Sequence, residues 1–335
     1  MPEPPRVLVV LDPAVPFADL FDADACSRVE RVARWKTPGS AYGADALPAD
    51  ELAETDVILA GWGMPVLDED FLRRAPRLRA VLYAAGSVKR FVTDAAWARG
   101  VQVSSAAWAN ALPVAEYALA AILLAGKDAF GLREHYRSRR SEEGLRSDFR
   151  HVGNYRGTVG IVGASMIGRR VLRLLREHDL ERLVYDPFLS ELEAAELGAR
   201  KVELDELCAR SDIVSVHAPE LPETRHMLDA RRLALVRDGA TVINTARGSL
   251  IDTDALTEQL AAGRLNAILD VVEPMPSPDS PLFTLPNVFL TPHVAGSFGN
   301  ELRRLGDSAV AELERYAAGR ALVHVVSRRE LARSA

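Results

Sequence analysis

Thr158-Val159-Gly160-Ile161-Val162-Gly163-Ala164-Ser165-Met166-Ile167-Gly168-Arg169-Arg170 decides the fold. An apolar, β-branched run enters a tight turn, and a helical pattern leaves it. The pattern G-x-G-x-x-G after a strand marks a phosphate-binding turn. Here the three positions are Gly163, Ser165 and Gly168. Gly163 permits the sharp turn, and Gly168 lets the helix pack close to the sheet. The middle position normally lacks a Cβ so that backbone can approach a pyrophosphate. Ser165 adds a small side chain there, whose hydroxyl can donate to a phosphate oxygen. The helix start at Met166 and Ile167 still offers free N–H groups and a positive dipole end.

The loop alone is a weak signal, and Asp186 strengthens it. Asp186 ends the next apolar run, Leu183-Val184-Tyr185-Asp186, at about the 20-residue distance of a ribose-binding carboxylate. A carboxylate there accepts from ribose hydroxyls and repels a 2′-phosphate. Pro187 and Phe188 follow it, with no arginine to reverse that preference. The expected cofactor is NAD rather than NADP.

Outward from this unit, short β-rich runs alternate with helical patterns, which implies parallel sheets with crossover helices. Six strands are expected downstream: Val159–Val162, Leu183–Tyr185, Ile213–Val216, Thr241–Asn244, Ala267–Val271 and Val288–Thr291. That is the arithmetic of two βαβαβ halves. Upstream, runs at Val7–Leu11, Val57–Ala60, Ala80–Tyr83 and Val101–Ser104 make a smaller α/β domain, with helices over Pro65–Arg74 and Val88–Arg99. An apolar helix is expected from about Pro113 to Phe130, and a long one over Glu301–Ala318. The expected fold is α/β, with two doubly wound parallel-sheet domains, one Rossmann-type and one flavodoxin-like.

Open α/β sheets bind ligands outside the carboxyl ends of their strands. Past those ends stand Arg247, Asp270 and His293. The set suits reduction of a 2-keto acid. An arginine fork binds the carboxylate and carbonyl. A histidine protonates the carbonyl oxygen as hydride arrives, and in reverse removes the hydroxyl proton. Asp270 can hold the nicotinamide end. Taken singly, Arg247 could pair with Asp252, and His293 could be a hydrogen-bonded core histidine. Their joint place at strand ends favours chemistry.

Further motifs carry a resemblance. Asn244-Thr245-Ala246-Arg247-Gly248-Ser249-Leu250-Ile251-Asp252, Ile268-Leu269-Asp270, Thr291-Pro292-His293-Val294-Ala295-Gly296, His217-Ala218-Pro219 with Glu223-Thr224, and Asn110 to Glu116 resemble the NAD-dependent D-isomer-specific 2-hydroxyacid dehydrogenases. The resemblance covers nearly the whole chain. It implies a substrate domain from residues 1–109 and 297–335, and an NAD-binding domain over 110–296. It implies that His217, Ala218, Pro219, Thr224, Thr245, Ala246, Asp270 and His293 line the cofactor crevice. It implies that Gly86, Ser87 and Val88 hold the substrate carboxylate together with Arg247. The Gly61–Met64 loop would line the substrate pocket, beside Tyr83 and Phe298. Homodimerisation is implied, with the arginine-rich stretch from Arg133 to Arg156 at the contact.

The chain departs from the family pattern at the glutamate that partners the histidine. That position holds Met275, and Glu273-Pro274 stands two residues earlier. Either Glu273 serves from a shortened loop or Met275 replaces the acid; the retained Glu-Pro pair favours Glu273.

Composition bounds the alternatives. The 335 residues are 48% hydrophobic and 26% charged, with a formal net charge of -6. That is ordinary for a globular protein and gives no reason to expect nucleic acid or an anionic membrane as partner. Cys26 and Cys208 have no metal-ligand spacing, and no metal is expected. They read as buried thiols in a reducing compartment, and the expected location is cytoplasmic. The leading expectation is an enzyme interconverting a 2-keto acid and a D-2-hydroxy acid. The alternatives are an NAD(H)-sensing binding protein on the same fold, and an enzyme for a phosphonate or phosphite, for which Lys89 is the one basic candidate.

Overall fold

The structure is a computed structural model and describes residues 3–35, 41–150 and 152–331. The described chain divides into two compact units, residues 3–111 with 297–331, and residues 112–296.

The first unit holds a five-stranded parallel sheet of β1 (Arg6–Val10), β2 (Arg34–Trp35), β3 (Val57–Ala60), β4 (Ala80–Tyr83) and β5 (Gln102–Ser105). Their order is β2-β1-β3-β4-β5, the flavodoxin-like order. Strand side chains alternate between faces, so each strand feeds two cores. Val7, Val9, Leu59 and Leu82 pack on one face, where Leu305, Val310 and Leu313 of the C-terminal helix Leu302–Ala317 join them. Leu8, Val10, Ile58 and Val81 pack on the other.

The second unit holds β6 (Thr158–Val162), β7 (Glu181–Tyr185), β8 (Arg200–Lys201), β9 (Ile213–Val216), β10 (Thr241–Asn244), β11 (Asn266–Leu269) and β12 (Val288–Leu290). All pair in parallel, in the order β12-β11-β10-β9-β6-β7-β8. This is the Rossmann order with one further strand, and β6 stands at the switch point. The central strands are buried on both faces: Val159, Ile161, Val184 and Ile243 enter one core, and Val162, Leu183, Val216 and Val242 the other.

Several expectations shift. β2 and β8 are additional to the expected strands. The expected helix Pro65–Arg74 shortens to Glu69–Arg74, because Asp68 caps it by accepting from the Phe71 N–H. Val88–Arg99 shortens to Asp94–Ala98, capped by Thr93. The apolar helix runs over Ala107–Gly126, and a second helix covers Ala129–Arg139. By length and composition Ala107–Gly126 is long enough to cross a membrane; its Ala115, Ala118, Ala121 and Ile122 lie buried in the core.

Candidate active site

Strand register sets the site. Tyr185, Val162, Val216, Asn244, Leu269 and Leu290 form one continuous row of paired residues. The next residue on each strand therefore reaches the same carboxyl edge: Asp186, Gly163, His217, Thr245, Asp270 and Thr291. Five of the six are sequence-predicted site positions.

The phosphate turn has no room for side chains. Gly163 has φ +96°, and a Cβ there would lie 2.6 Å from Cα and N of Ala218. A Cβ on Gly168 would lie 2.0 Å from the Gly163 carbonyl oxygen. Ser165 is the N-cap of the helix Met166–Leu174, its hydroxyl oxygen accepting from the Gly168 N–H at 3.4 Å. The serine hydrogen stays available to a phosphate. The N–H groups of Met166 and Ile167 have no partner among the described residues. Ala164 is held from both sides: its N–H donates to Asp186 Oδ2 at 2.7 Å, and its carbonyl oxygen accepts from Arg169 Nε at 3.0 Å. Arg169 is braced in turn by Glu193 at 3.1 Å. Asp186 Oδ1 accepts from the Phe188 N–H at 2.8 Å. These bonds fix the carboxylate and leave acceptor capacity for ribose hydroxyls.

Two buried polar atoms further along the edge have no partner among the described residues, Nδ1 of His217 and Oγ1 of Thr245. The other imidazole nitrogen of His217, Nε2, bonds the Ser215 hydroxyl at 2.9 Å. Burial pushes the His217 pKa down to about 4, so the ring is neutral at ordinary pH. Ala218 and Ala246 are buried, and Pro219 is half-buried. Thr224 is taken up by its own loop, donating to Pro219 O at 2.7 Å and accepting from Leu221 N at 2.9 Å. Its hydroxyl hydrogen is committed within that loop.

The unpaired amides of the helix start, the glycine contact at Ala218 and the orphaned atoms of His217 and Thr245 together fit a dinucleotide. Gly163, Ser165, Met166 and Ile167 would hold its pyrophosphate, and Asp186 its ribose.

Arg247 follows β10. Its carbonyl oxygen accepts from Asn244 Nδ2 at 2.9 Å, and Asn244 Oδ1 accepts from the Ala246 N–H at 3.1 Å. One side-chain N–H of Arg247 donates to Ala246 O at 2.7 Å. Asp252, the alternative partner read from sequence, instead caps the helix Thr253–Ala261.

His293 lies exposed at the tip of the turn after β12. Its φ is +59°, a left-handed conformation that non-glycine residues adopt at a cost. The turn is over-determined by Asp270, which is 2% exposed. Asp270 Oδ1 accepts from Thr291 Oγ1 at 2.6 Å and from Val294 N at 2.8 Å. Its Oδ2 accepts from Ala295 N at 2.9 Å, and its carbonyl oxygen accepts from His293 N at 2.9 Å. Tyr117 bonds Thr291 at 2.9 Å behind it. A carboxylate has about four acceptor sites, and three are used here. Asp270, expected to hold the nicotinamide end, is first the clamp of the histidine turn.

Glu273, expected as the acid partner of His293, pairs with Arg225. Its Oε1 lies 3.0 Å from Arg225 Nη1. Its carbonyl oxygen accepts from Thr253 Oγ1 at 2.6 Å, which draws the backbone towards the Arg247 segment. Met275 is 87% exposed. The imidazole of His293 has no hydrogen-bond partner among the described residues.

In the first unit, the loop after β4 carries Gly86, Ser87 and Val88. Their three N–H groups have no partner among the described residues. Successive free amides of this kind form an anion-binding nest. Ser105 braces the loop by donating to the carbonyl oxygen of Gly86. Tyr83, expected in the pocket, is instead buried against Phe91 at 4.9 Å between ring centroids, and Met64 packs on the same core. Trp62 and Phe298 are exposed. Sequence reading missed Ser105, Tyr117 and Arg225, whose partners are remote in the chain; Asn244 stood in a quoted motif, but its local bonds to Ala246 and Arg247 were not read from it. No group of three or more histidine, cysteine or acidic residues that could hold a metal occurs among the described residues.

Residues 119–295 match the family model described as "D-isomer specific 2-hydroxyacid dehydrogenase, NAD binding domain". The D-3-phosphoglycerate dehydrogenase of Mycobacterium tuberculosis (strain ATCC 25618 / H37Rv) is 37% identical over 79% of this chain; the chain spans only 49% of that relative's length. Glyoxylate/hydroxypyruvate reductase B of Pectobacterium atrosepticum is 34% identical over 77% of this chain and 82% of its own. Among solved structures, apo D-mandelate dehydrogenase of Rhodotorula graminis superposes with a TM-score of 0.80 at 25% identity, covering 97% of this chain and 98% of that one. D-lactate dehydrogenase of Aquifex aeolicus, complexed with NAD and lactic acid, gives 0.72 at 26% identity over 93% and 96%. With its phosphate turn, register-aligned edge and clamped histidine, the chain belongs to the NAD-dependent D-isomer-specific 2-hydroxyacid dehydrogenase family.

Proposed function

We propose that the protein is an NADH-dependent 2-keto acid reductase that yields a D-2-hydroxy acid and also runs in reverse. The observation that carries this reading is Arg247 and His293 at one carboxyl edge, with His293 held in a left-handed turn by a buried carboxylate.

Bound NADH supplies the hydride that reaches the carbonyl carbon. The residues do the rest. Arg247 presents its planar fork to the substrate carboxylate and carbonyl. The amides of Gly86, Ser87 and Val88 make an anion-binding nest within the first unit. His293, as imidazolium, gives its proton to the carbonyl oxygen as the C–O π pair moves onto that oxygen. The products are a hydroxyl group and a neutral imidazole, which regains a proton from solvent. Asp270 fixes where that imidazole stands. The phosphate turn and Asp186 would hold the cofactor's pyrophosphate and ribose, and the charge of Asp186 favours NAD over NADP.

Small or aromatic keto acids such as glyoxylate, hydroxypyruvate and phenylpyruvate are the proposed substrates. The relative that acts on glyoxylate and hydroxypyruvate matches over most of its length, which supports this. The proposed assembly is a cytoplasmic homodimer, with exposed Tyr136 of the helix Ala129–Arg139 at the contact. The test is steady-state kinetics with these acids. Arg247→Ala and His293→Ala each lower kcat/KM by about 100-fold or more while NADH binding persists. Retained turnover in either variant would remove that residue from the mechanism.

A further inference from the structure

Sheet order places the Arg247 segment between the loops that follow β9 and β11. Both loops are tied to it just past the arginine. From the β9 side, His226 N donates to Ser249 O at 2.8 Å and Leu228 N donates to Leu250 O at 3.1 Å, with a parallel bridge between Leu228 and Ile251. From the β11 side, the Val272–Glu273 peptide lies so close that a Cβ on Gly248 would stand 2.3 Å from Glu273 N. Thr253 Oγ1 adds its bond to Glu273 O. The two flanking loops then meet over the segment between them, through Arg225 Nη1 and Glu273 Oε1 at 3.0 Å. Arg225, His226, Ser249, Gly248 and Glu273 form a closed ring immediately after Arg247.

We propose that Arg225 and Glu273 are positioning residues for Arg247, their ion pair closing a strap that holds the guanidinium at its substrate-binding angle. This rests on Arg247 binding the substrate carboxylate. It gives Glu273 a role other than partner of the histidine. The pair is well exposed, at 58% for Arg225 and 45% for Glu273. Such pairs add little to global stability. Their consequence here is geometric, because a small misplacement of a substrate-binding group is felt in the rate. The strap also explains the glycine after Arg247: any side chain at Gly248 would push Glu273 away from Arg225.

The experiment is NADH-linked kinetics with glyoxylate as probe, on Arg225→Gln, Glu273→Gln and the swapped pair Arg225→Glu/Glu273→Arg, with Arg247→Ala alongside. Each single variant should raise KM for glyoxylate about two- to fivefold. KM for NADH, the melting temperature and the position of the pH–rate profile should not move. The swapped pair should recover the glyoxylate KM, since an ion pair works in either direction. A shifted pH profile in Glu273→Gln, with Arg225→Gln silent, would make Glu273 the acid partner of His293 and overturn the strap. Silent singles, or a swap that fails to recover, would overturn it as well. Arg247→Ala separates the two levels. Loss of glyoxylate binding there with silent strap variants rejects the strap alone, whereas an unmoved KM in Arg247→Ala rejects the reading of Arg247 and the strap with it.

Discussion

His217 is buried on the sheet edge, its ring bonded among the described residues to Ser215, and burial lowers its pKa from 6.5 to about 4. In the unfolded chain the same ring titrates near 6.5. Between those values the unfolded state binds more protons, so folding stability falls as pH drops from about 6.5 towards 4. The contribution at stake is on the order of 3 kcal/mol. Replacing His217 with asparagine removes the titration. Denaturant unfolding across that pH window should then show a flatter acid limb than the wild type; an equally steep limb would mean another group sets it. At this scale the sequence was legible where a residue's own chemistry speaks. Gly163, Asp186, Arg247 and His293 stand out because glycine, carboxylate, guanidinium and imidazole have few substitutes at strand ends. Glu273 was harder to read for the converse reason. A Glu-Pro pair looks the same whether its carboxylate faces His293 or Arg225, and only the three-dimensional path of the loop decides.

Among the elements, the turn after β12 is the one that function asks most of. It carries a left-handed His293, and Asp270 holds it through Thr291, Val294 and Ala295. Asp270→Asn keeps the size but places an amide N–H₂ against the Ala295 N–H. One buried donor is then left unpaired, at a cost of about 1–3 kcal/mol. With the turn loosened, kcat should fall about 10- to 100-fold, while KM for NADH changes far less. Unaltered kcat in a folded Asp270→Asn protein would show that the turn holds itself. Strands at this scale were readable because β3 and β4 are unbroken apolar runs and β9 and β10 are mostly β-branched, with Ser215, Thr241 and Asn244 as their polar members. β2 and β8 were not, because each is two residues long and includes arginine. They owe their place to an edge that β1 or β7 offers, which no local pattern reports. Helix starts slipped towards proline for the same kind of reason: Asp68 and Thr93 cap through side-chain bonds, and those outweigh the preference of Pro65 for a first turn.

For the whole molecule, the first unit is closed by the end of the chain. Leu305, Ala309, Val310 and Leu313 complete its core. Arg28 reaches Glu314 with two bonds of 3.0 and 2.9 Å and Asp307 with a third of 2.9 Å. At the crossing, a Cβ on Gly306 would lie 1.8 Å from the carbonyl oxygen of Leu20. Gly306→Val should therefore destabilise this unit by about 3 kcal/mol. Calorimetry with and without NADH reads this directly. The transition assigned to the first unit should move down, and the one raised by NADH should stay. A single shifted transition would mean that the units unfold as one. In sequence, the two-unit division came from the family resemblance, with the phosphate turn at Thr158 marking the second unit. The Leu20–Gly306 contact that ties the ends together has no signature in either segment alone.

The central claim is that this edge of residues turns over a 2-keto acid, and the most direct measurement is NADH oxidation by the purified protein. It would follow the nicotinamide absorbance with glyoxylate, hydroxypyruvate and phenylpyruvate from acid to neutral pH. The account predicts turnover of at least one acid, abolished by His293→Ala and yielding the D-2-hydroxy acid. NADH binding with no turnover of any 2-keto acid at any pH would contradict it, and would leave a nucleotide-binding protein in place of an enzyme.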